Sequence, residues 1–185
     1  MLKILVTPPV TAEHKQLLET AGGPEAEFIY KNADEVDAAL MQEVDILFGN
    51  VAPALVAEAK KLRLLQLFSA GTDGYIPALP EGCALTNTTG AFGLAISEHM
   101  LGMLLMLQKR LHQYRDNQNK HVWQDMGNVT SIEGATVVVL GLGDIGGEFA
   151  RKVKALGAYT IGVRRTDANK PEYIDELCLT QELDH

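Results

Sequence analysis

Cysteine is almost missing from this chain: Cys83 and Cys178 are the only two in 185 residues, far apart and in no metal-ligand spacing. That excludes a disulfide-stapled scaffold and a thiolate-rich metal centre, and reduced thiols of this kind fit a cytoplasmic protein. Basic charge is in deficit as well. Sixteen Lys and Arg stand against 24 Asp and Glu, a net charge of −8, so no general attraction for nucleic acid or an anionic membrane is expected. Long apolar runs are lacking too: the longest on a helical pattern, Met100–Leu107, is too short to span a bilayer. The apolar run Leu2–Val6 has strand length and breaks at Pro8-Pro9, so it does not read as a signal peptide. No internal repeat, low-complexity tract or long linker is visible. The remaining composition, 46% hydrophobic and 22% charged residues, is that of an ordinary globular protein of one large or two small domains.

The first part of the chain alternates strand and helix signals. Strands are expected at Leu2–Val6, Glu27–Tyr30, Val44–Phe48, Leu64–Phe68 and Cys83–Thr86. Between them, Thr11 caps a helix carrying His14, Leu17, Leu18 and Ala21, stopped by Gly22-Gly23-Pro24. Ala33–Met41 reads as a helix with Val36 and Leu40 inward, and Pro53–Ala59 as a short helix opened by proline. Such alternation implies a parallel α/β sheet with helices on both faces. From about Phe92 the pattern changes to one long helix reaching roughly Asn117. Leu94, Met100, Leu104, Leu107 and Leu111 mark one face, and its apolar middle is expected to be buried by more than one neighbour. Asn119–Glu133, with the single tryptophan Trp123, connects this helix to the strand at Thr136.

The most telling stretch is Thr136–Thr166. Thr136–Leu140 is a β-branched run suited to a strand buried on both faces. Gly141-Leu142-Gly143-Asp144-Ile145-Gly146 comes directly after it and opens a helix. Gly141 permits the tight turn, Gly143 lets a pyrophosphate approach the backbone, and Gly146 lets helix and strand lie close. The first N–H groups of the helix then face the phosphates, aided by the dipole. Ile145, Phe149, Val153 and Leu156 share one helical face, Gly157 suits the C-terminal cap, and Tyr159–Val163 completes a βαβ unit. An NAD-type site has an acidic residue about 20 residues on, which binds the ribose 2′-OH. Here Arg164, Arg165 and Thr166 stand there. A guanidinium binds a 2′-phosphate bidentately, worth roughly 1.5–3 kcal/mol, so NADP is preferred, with NAD possible. An adenosylmethionine site is disfavoured by the same arginines.

A second candidate lies at Ser69-Ala70-Gly71-Thr72-Asp73-Gly74, directly after a strand. Its small residues expose backbone N–H groups that suit a carboxylate, although a plain strand-to-turn connection reads the same way.

Taken in order, Ser69–Asp73, Leu85–Gly90, Ala95-Ile96-Ser97-Glu98-His99, Trp123 and Gly141–Gly146 resemble the D-isomer-specific 2-hydroxyacid dehydrogenase family over essentially the whole chain. The resemblance implies a flavodoxin-like substrate domain (1–92), a long helix and connector (93–134) and an incomplete NAD(P)-binding Rossmann domain (135–185), with the active site between the domains. It implies hydride transfer between a nicotinamide and C2 of a 2-oxo or 2-hydroxy acid. Backbone N–H groups of Ala70 and Gly71 would hold the carboxylate, with Asn50 and Val51 also approaching the substrate. It further implies a homodimer packed through the coenzyme domains and the long helix. Gly93 departs from the family pattern, so no coenzyme contact is assigned there.

The family's catalytic arginine, glutamate and histidine have no counterparts in this sequence, so no residue is assigned a catalytic role. Of the five histidines, His99 beside Glu98 reads as structural, His14, His112 and His121 have no convincing partner, and His185 is the last residue. Thr180 reads as the N-cap of a helix that has barely begun, and a coenzyme sheet of only two or three strands is expected to leave an unpaired edge. The chain alone is therefore expected to behave as a truncated, inactive portion of a dehydrogenase. The alternative is a non-catalytic dinucleotide-binding or oligomerisation module.

Overall fold

The computed structural model describes residues 1–166 and 169–183, and the chain falls into two compact units, Met1–Thr89 and Gly90–His185. In the first, β1 (Leu2–Val6), β2 (Ala26–Tyr30), β3 (Ile46–Phe48), β4 (Leu64–Gln66) and β5 (Ala84–Thr86) form one sheet in the order β2-β1-β3-β4-β5. All four pairings are parallel, with Leu5 opposite Ile29 and Leu47, and Leu65 opposite Leu47 and Leu85. This is the flavodoxin-like order, whose switch point lies between β1 and β3. The helices are α1 (Ala12–Gly22), α2 (Ala38–Met41) and α3 (Pro53–Ala57). Leu5, Leu47 and Leu65 are fully buried with Met41, Val44 and Val56, and each such side chain contributes about 1.5–3 kcal/mol.

Local chemistry explains the element ends. Thr11 caps α1 as expected: its hydroxyl accepts from the His14 N–H, and the His14 ring accepts from the Thr11 N–H. The helix expected over Ala33–Met41 is instead two pieces, a single 3₁₀ turn at Ala33–Glu35 and then α2. Asp37 breaks it: its backbone is extended and its carboxylate accepts from the Leu40 N–H, so it serves as a fresh N-cap rather than a helical residue. Val36 is still buried.

The second unit holds α4 (Gly93–Gln108), α5 (Leu111–Asn119), β6 (Thr136–Leu140), α6 (Asp144–Ala155), β7 (Tyr159–Arg164) and β8 (Glu176–Leu179). The strands form a parallel sheet in the order β6-β7-β8, and α4 packs on α6. Helix α6 ends in a Schellman motif. Ala158 N–H reaches Val153 O at 3.1 Å, Gly157 N–H reaches Lys154 O at 3.0 Å, and Gly157 has φ +87°. Leu156, expected inward, sits at this cap and is exposed, while Phe149, Ala150 and Val153 make the buried stripe.

Four further expectations are corrected. The long helix breaks at Lys109-Arg110, where Arg110 takes the left-handed conformation with φ 54°. The returning connector compensates the break: Lys109 Nζ donates to Thr130 O at 2.6 Å, the Thr130 N–H to Gln108 O, and the Arg110 guanidinium to Met126 O. The face of α4 that packs is Gly93, Ser97, Met100, Leu101, Leu104 and Leu105, whereas Leu94, Met103, Leu107 and Leu111 of α5 are exposed. Strand β6 is also not buried on both faces. Val139 is buried, but Val138 and Leu140, which share the opposite face, are 57% and 72% exposed. The helix expected from Thr180 is a 3₁₀ turn, Thr180–Glu182, begun by Leu179, whose N–H donates to Glu182 at 2.6 Å. Asp184 and His185 lie outside the described residues.

The sheet edge opposite the glycine loop carries a charged clasp. Asp175 accepts from Lys154 Nζ at 2.5 Å, Thr160 N at 2.7 Å and Thr160 Oγ1 at 3.0 Å. The Lys154 ammonium and then the Thr160 N–H hold its carboxyl down at about 2. A depressed carboxylate stabilises the fold above its unfolded pKa, and that contribution is lost as pH falls through the folded value. Thermal unfolding followed by circular dichroism should show stability falling between about pH 4 and pH 2, and Asp175→Asn should flatten that dependence while lowering stability at neutral pH.

Candidate functional site

The glycine loop joins the carboxyl end of β6 to α6. Gly141 has φ +102°, a conformation that side chains disfavour, and its N–H donates to Val163 O at 2.9 Å. At Gly146 a Cβ would stand 1.8 Å from the Gly141 carbonyl oxygen and 3.3 Å from Val139 Cγ1, so only glycine lets α6 approach the strand this closely. Gly143 is the N-cap of α6, without a side-chain cap bond, and a Cβ there would meet nothing within 4 Å. The first turn of α6 therefore opens to space with its N–H groups unclaimed by a capping side chain, which suits a phosphate. Leu142 is seated in a notch on β7, where a Cβ on Gly162 would lie 2.4 Å from Leu142 Cδ1. Asp144 opens the helix and Ile145 is half-buried.

An open cleft of about 600 Å³ adjoins this loop, walled by Leu140–Gly143, Val163–Thr166 and Thr180. The structure thus brings Arg164, Arg165 and Thr166 to the same cleft as Gly141–Gly143. It also separates the two arginines. Arg164 is half-buried and donates through Nη2 to Asn169 O at 3.3 Å, whereas Arg165 and Thr166 are exposed. A cleft with bare peptide N–H groups on one wall and guanidinium on the other suits the phosphates of a dinucleotide. A larger hollow of about 870 Å³ lies beside α5 and the loop after it. Its walls combine Leu111, Val122 and the fully exposed Trp123 with polar residues including Arg115, His121 and Asp125.

In the first unit, parallel pairing puts the ends of β3, β4 and β5 on one edge of the sheet. Asn50, after β3, accepts from the Phe68 N–H at 2.8 Å and donates to Ser69 Oγ at 2.9 Å. The Ser69 hydroxyl donates in turn to Gly71 O at 3.0 Å. From the other side Asn87 Nδ2 donates to Ala70 O at 2.7 Å and Thr88 Oγ1 to Phe68 O at 3.1 Å. The carbonyls of this loop are thereby engaged, while Ala70 and Gly71 are exposed, and among the described residues nothing accepts from their N–H groups. That polarity, carbonyls tied back and N–H groups outward, suits an anion. Val51 as a whole is 4% exposed and its carbonyl accepts from the Tyr75 hydroxyl, which leaves its N–H as the one backbone group not engaged among the described residues.

Tyr75 escaped sequence reasoning, and Asn87 and Thr88, within the Leu85–Gly90 segment, were given no role there. An Asn-Thr pair immediately after a strand is a weak signal, and its partner loop is some 17 residues away. In this unit His14 belongs to the α1 cap. In the second unit His99 and Glu98 are exposed on α4, and His121 takes φ 53° where α5 ends. Asn50→Ala removes both clasp bonds and should cost about 1 kcal/mol, read as a lower melting temperature together with faster amide exchange at Phe68.

Comparison with known proteins agrees with this geometry. Residues 101–185 match the model of the D-isomer specific 2-hydroxyacid dehydrogenase, NAD binding domain. The D-3-phosphoglycerate dehydrogenase of Methanocaldococcus jannaschii is 27% identical over 170 residues, 88% of this chain and 32% of that protein. A D-isomer specific 2-hydroxyacid dehydrogenase family protein from Aeromonas salmonicida superposes with a TM-score of 0.82 at 29% identity, covering 98% of this chain and 59% of that one. An NADPH-dependent glyoxylate/hydroxypyruvate reductase from Sinorhizobium meliloti shares the fold, with a TM-score of 0.74 at 23% identity, covering all of this chain and 58% of that one. The chain thus spans about a third of the length of the curated relative and well over half of these solved structures. In its glycine loop, its two parallel sheets and these matches, the chain is similar to members of the D-isomer specific 2-hydroxyacid dehydrogenase family, and residues 101–185 match that family's NAD binding domain.

Proposed function

We propose that this chain supplies the coenzyme loop and the carboxylate loop of an NAD(P)-dependent oxidoreductase that reduces 2-oxo acids at C2 to 2-hydroxy acids. The observation that carries the proposal is the cleft in which the bare N-terminus of α6 and Arg164–Thr166 share walls. Gly141–Gly146 would hold the pyrophosphate, with the N–H groups at the start of α6 as donors. Arg165 and Thr166, exposed at the rim, would take the ribose 2′-phosphate, while Arg164 holds the end of β7 to Asn169. NADP is accordingly the preferred coenzyme and NAD the weaker one. When bound, the nicotinamide supplies the hydride. In the first unit, the N–H groups of Ala70 and Gly71 would hold the substrate carboxylate, kept in place by Asn50 and Ser69, with backbone of Val51 beside them.

No histidine or arginine of the first unit stands beside that loop: His14 is on α1, and Arg63 precedes β4 at the far edge of the sheet. A group that polarises the 2-oxo acid and a proton donor are both required, so the chain by itself should bind without turning over. We further propose a cytoplasmic homodimer, supported by the free thiols of Cys83 and Cys178 and by the exposed apolar side chains of Met103 and Leu107, one turn apart on α4.

Fluorescence titration with NADPH and NADH, read through Trp123 and nicotinamide emission, tests the coenzyme assignment. Saturable binding favouring NADPH by about a decade or more is expected. Arg165→Ala should abolish most of that preference with little effect on NADH. Binding of neither nucleotide would overturn the reading. Reduction of a 2-oxo acid by the purified chain, with contaminating enzyme excluded, would overturn the inactivity.

A further inference from the structure

One buried glycine outside the loop bears directly on it. Gly93 opens α4, and a Cβ there would stand 2.5 Å from Asp144 Oδ1, 2.9 Å from its Cγ and 3.0 Å from Oδ2. These three nearest atoms all belong to one carboxylate. Phe92, the N-cap of α4, provides no side-chain cap bond, so this carboxylate lies at a helix start that carries positive partial charge and lacks a capping side chain. Asp144 is also the first residue of α6, next to Gly143, the position at which the backbone is open to a ligand. Its side chain is nevertheless absent from the walls of the cleft, which are formed at this point by Gly141, Leu142 and Gly143.

We propose that Gly93 is a positioning residue for the coenzyme: by having no side chain, it gives the Asp144 carboxylate a seat against the start of α4 and outside the pyrophosphate path. The loop sequence places an acid one residue from a site for a doubly charged group, and like charges at such range repel. The empty volume at Gly93 resolves that conflict. A methyl group there evicts the carboxylate, which is exposed to solvent, and the open side at Gly143 is free to receive it.

The inference rests on the glycine loop binding a dinucleotide, and the test separates the two. NADPH is titrated into the wild-type chain, Gly93→Ala, Gly93→Ala with Asp144→Asn, and Asp144→Glu, each at low and high salt. Gly93→Ala should weaken binding about tenfold at low salt and less at high salt, because screening reduces a charge effect. Adding Asp144→Asn should restore most of the affinity. Alanine is the better helix former, so the melting temperature should hold or rise while binding falls. Asp144→Glu, whose longer arm the seat cannot take, should weaken binding in the same salt-dependent way with α4 untouched. It keeps the question decidable if Gly93→Ala fails to fold. No binding by the wild type would sink the dinucleotide reading itself. Wild-type binding with Gly93→Ala and Asp144→Glu within twofold of it would overturn the role of Gly93. So would a loss that Asp144→Asn does not relieve.

Discussion

The second unit depends on one contact that no side chain allows. The Gly141 carbonyl oxygen occupies the place where a Cβ of residue 146 would be, at 1.8 Å from it. With that atom absent, α6 starts almost on the end of β6, its axis points its N-terminus at the carboxyl end of the sheet, and Phe149, Ala150 and Val153 reach the core beside Val139. Add a methyl group and α6 must withdraw. The buried stripe then loses its partner and the loop loses the curvature that turns its N–H groups outward. Packing and ligand binding are here two consequences of one steric fact.

The first unit reaches a comparable result by hydrogen bonding rather than by close approach. Its strands all run the same way, so the chain leaves β3, β4 and β5 on a common edge, and the peptide groups there need partners. Asn50 and Asn87 provide them asymmetrically. They and the neighbouring hydroxyls satisfy the Phe68 N–H and the carbonyls of Phe68, Ala70 and Gly71, leaving the N–H groups of Ala70 and Gly71 outward. A loop satisfied on its acceptor side and open on its donor side has a chemical preference before any ligand arrives, and that preference is for negative charge.

These arrangements were unequally legible in the sequence. Thr136–Leu140 and the helix from Asp144 could be read because their signals are local: a β-branched run, glycines at fixed offsets, and a Gly157 cap. The Thr11 cap was readable for the same reason. The break at Arg110 was not, since no glycine or proline marks it; it is held by Thr130 and Met126, contacts some 16 to 21 residues distant. The split at Asp37 was within reach, because aspartate competes for its own backbone, but the apolar spacing of Val36 and Leu40 pointed the other way. Burial was the least readable property. The apolar content of β6 and α4 says that these elements want cover, and nothing in it says which faces receive it: Val138, Leu140, Leu94 and Leu107 do not. Gly162 is an isolated glycine inside a strand, a pattern that signals close approach, and Gly93 is the first residue of α4, yet the residues they admit, Leu142 and Asp144, can be named only from the fold.

The two edges of the second sheet divide stability from binding. At the amino-terminal edge, Asp175 takes three hydrogen bonds from Lys154 and Thr160, and Lys170 Nζ donates to Ile174 O at 2.6 Å. Polar groups there are matched to one another, which lowers the Asp175 pKa and leaves little for a ligand to gain. At the carboxyl-terminal edge the balance is reversed: the N-cap of α6 has no side chain, Gly141 is held in a conformation that other residues resist, and exposed Arg165 brings positive charge to the rim. Donors left unmatched by the protein cost stability when no ligand is bound, and an anion that fits them offsets that cost. The same sheet therefore tolerates a poorly satisfied edge because its opposite edge is so fully satisfied.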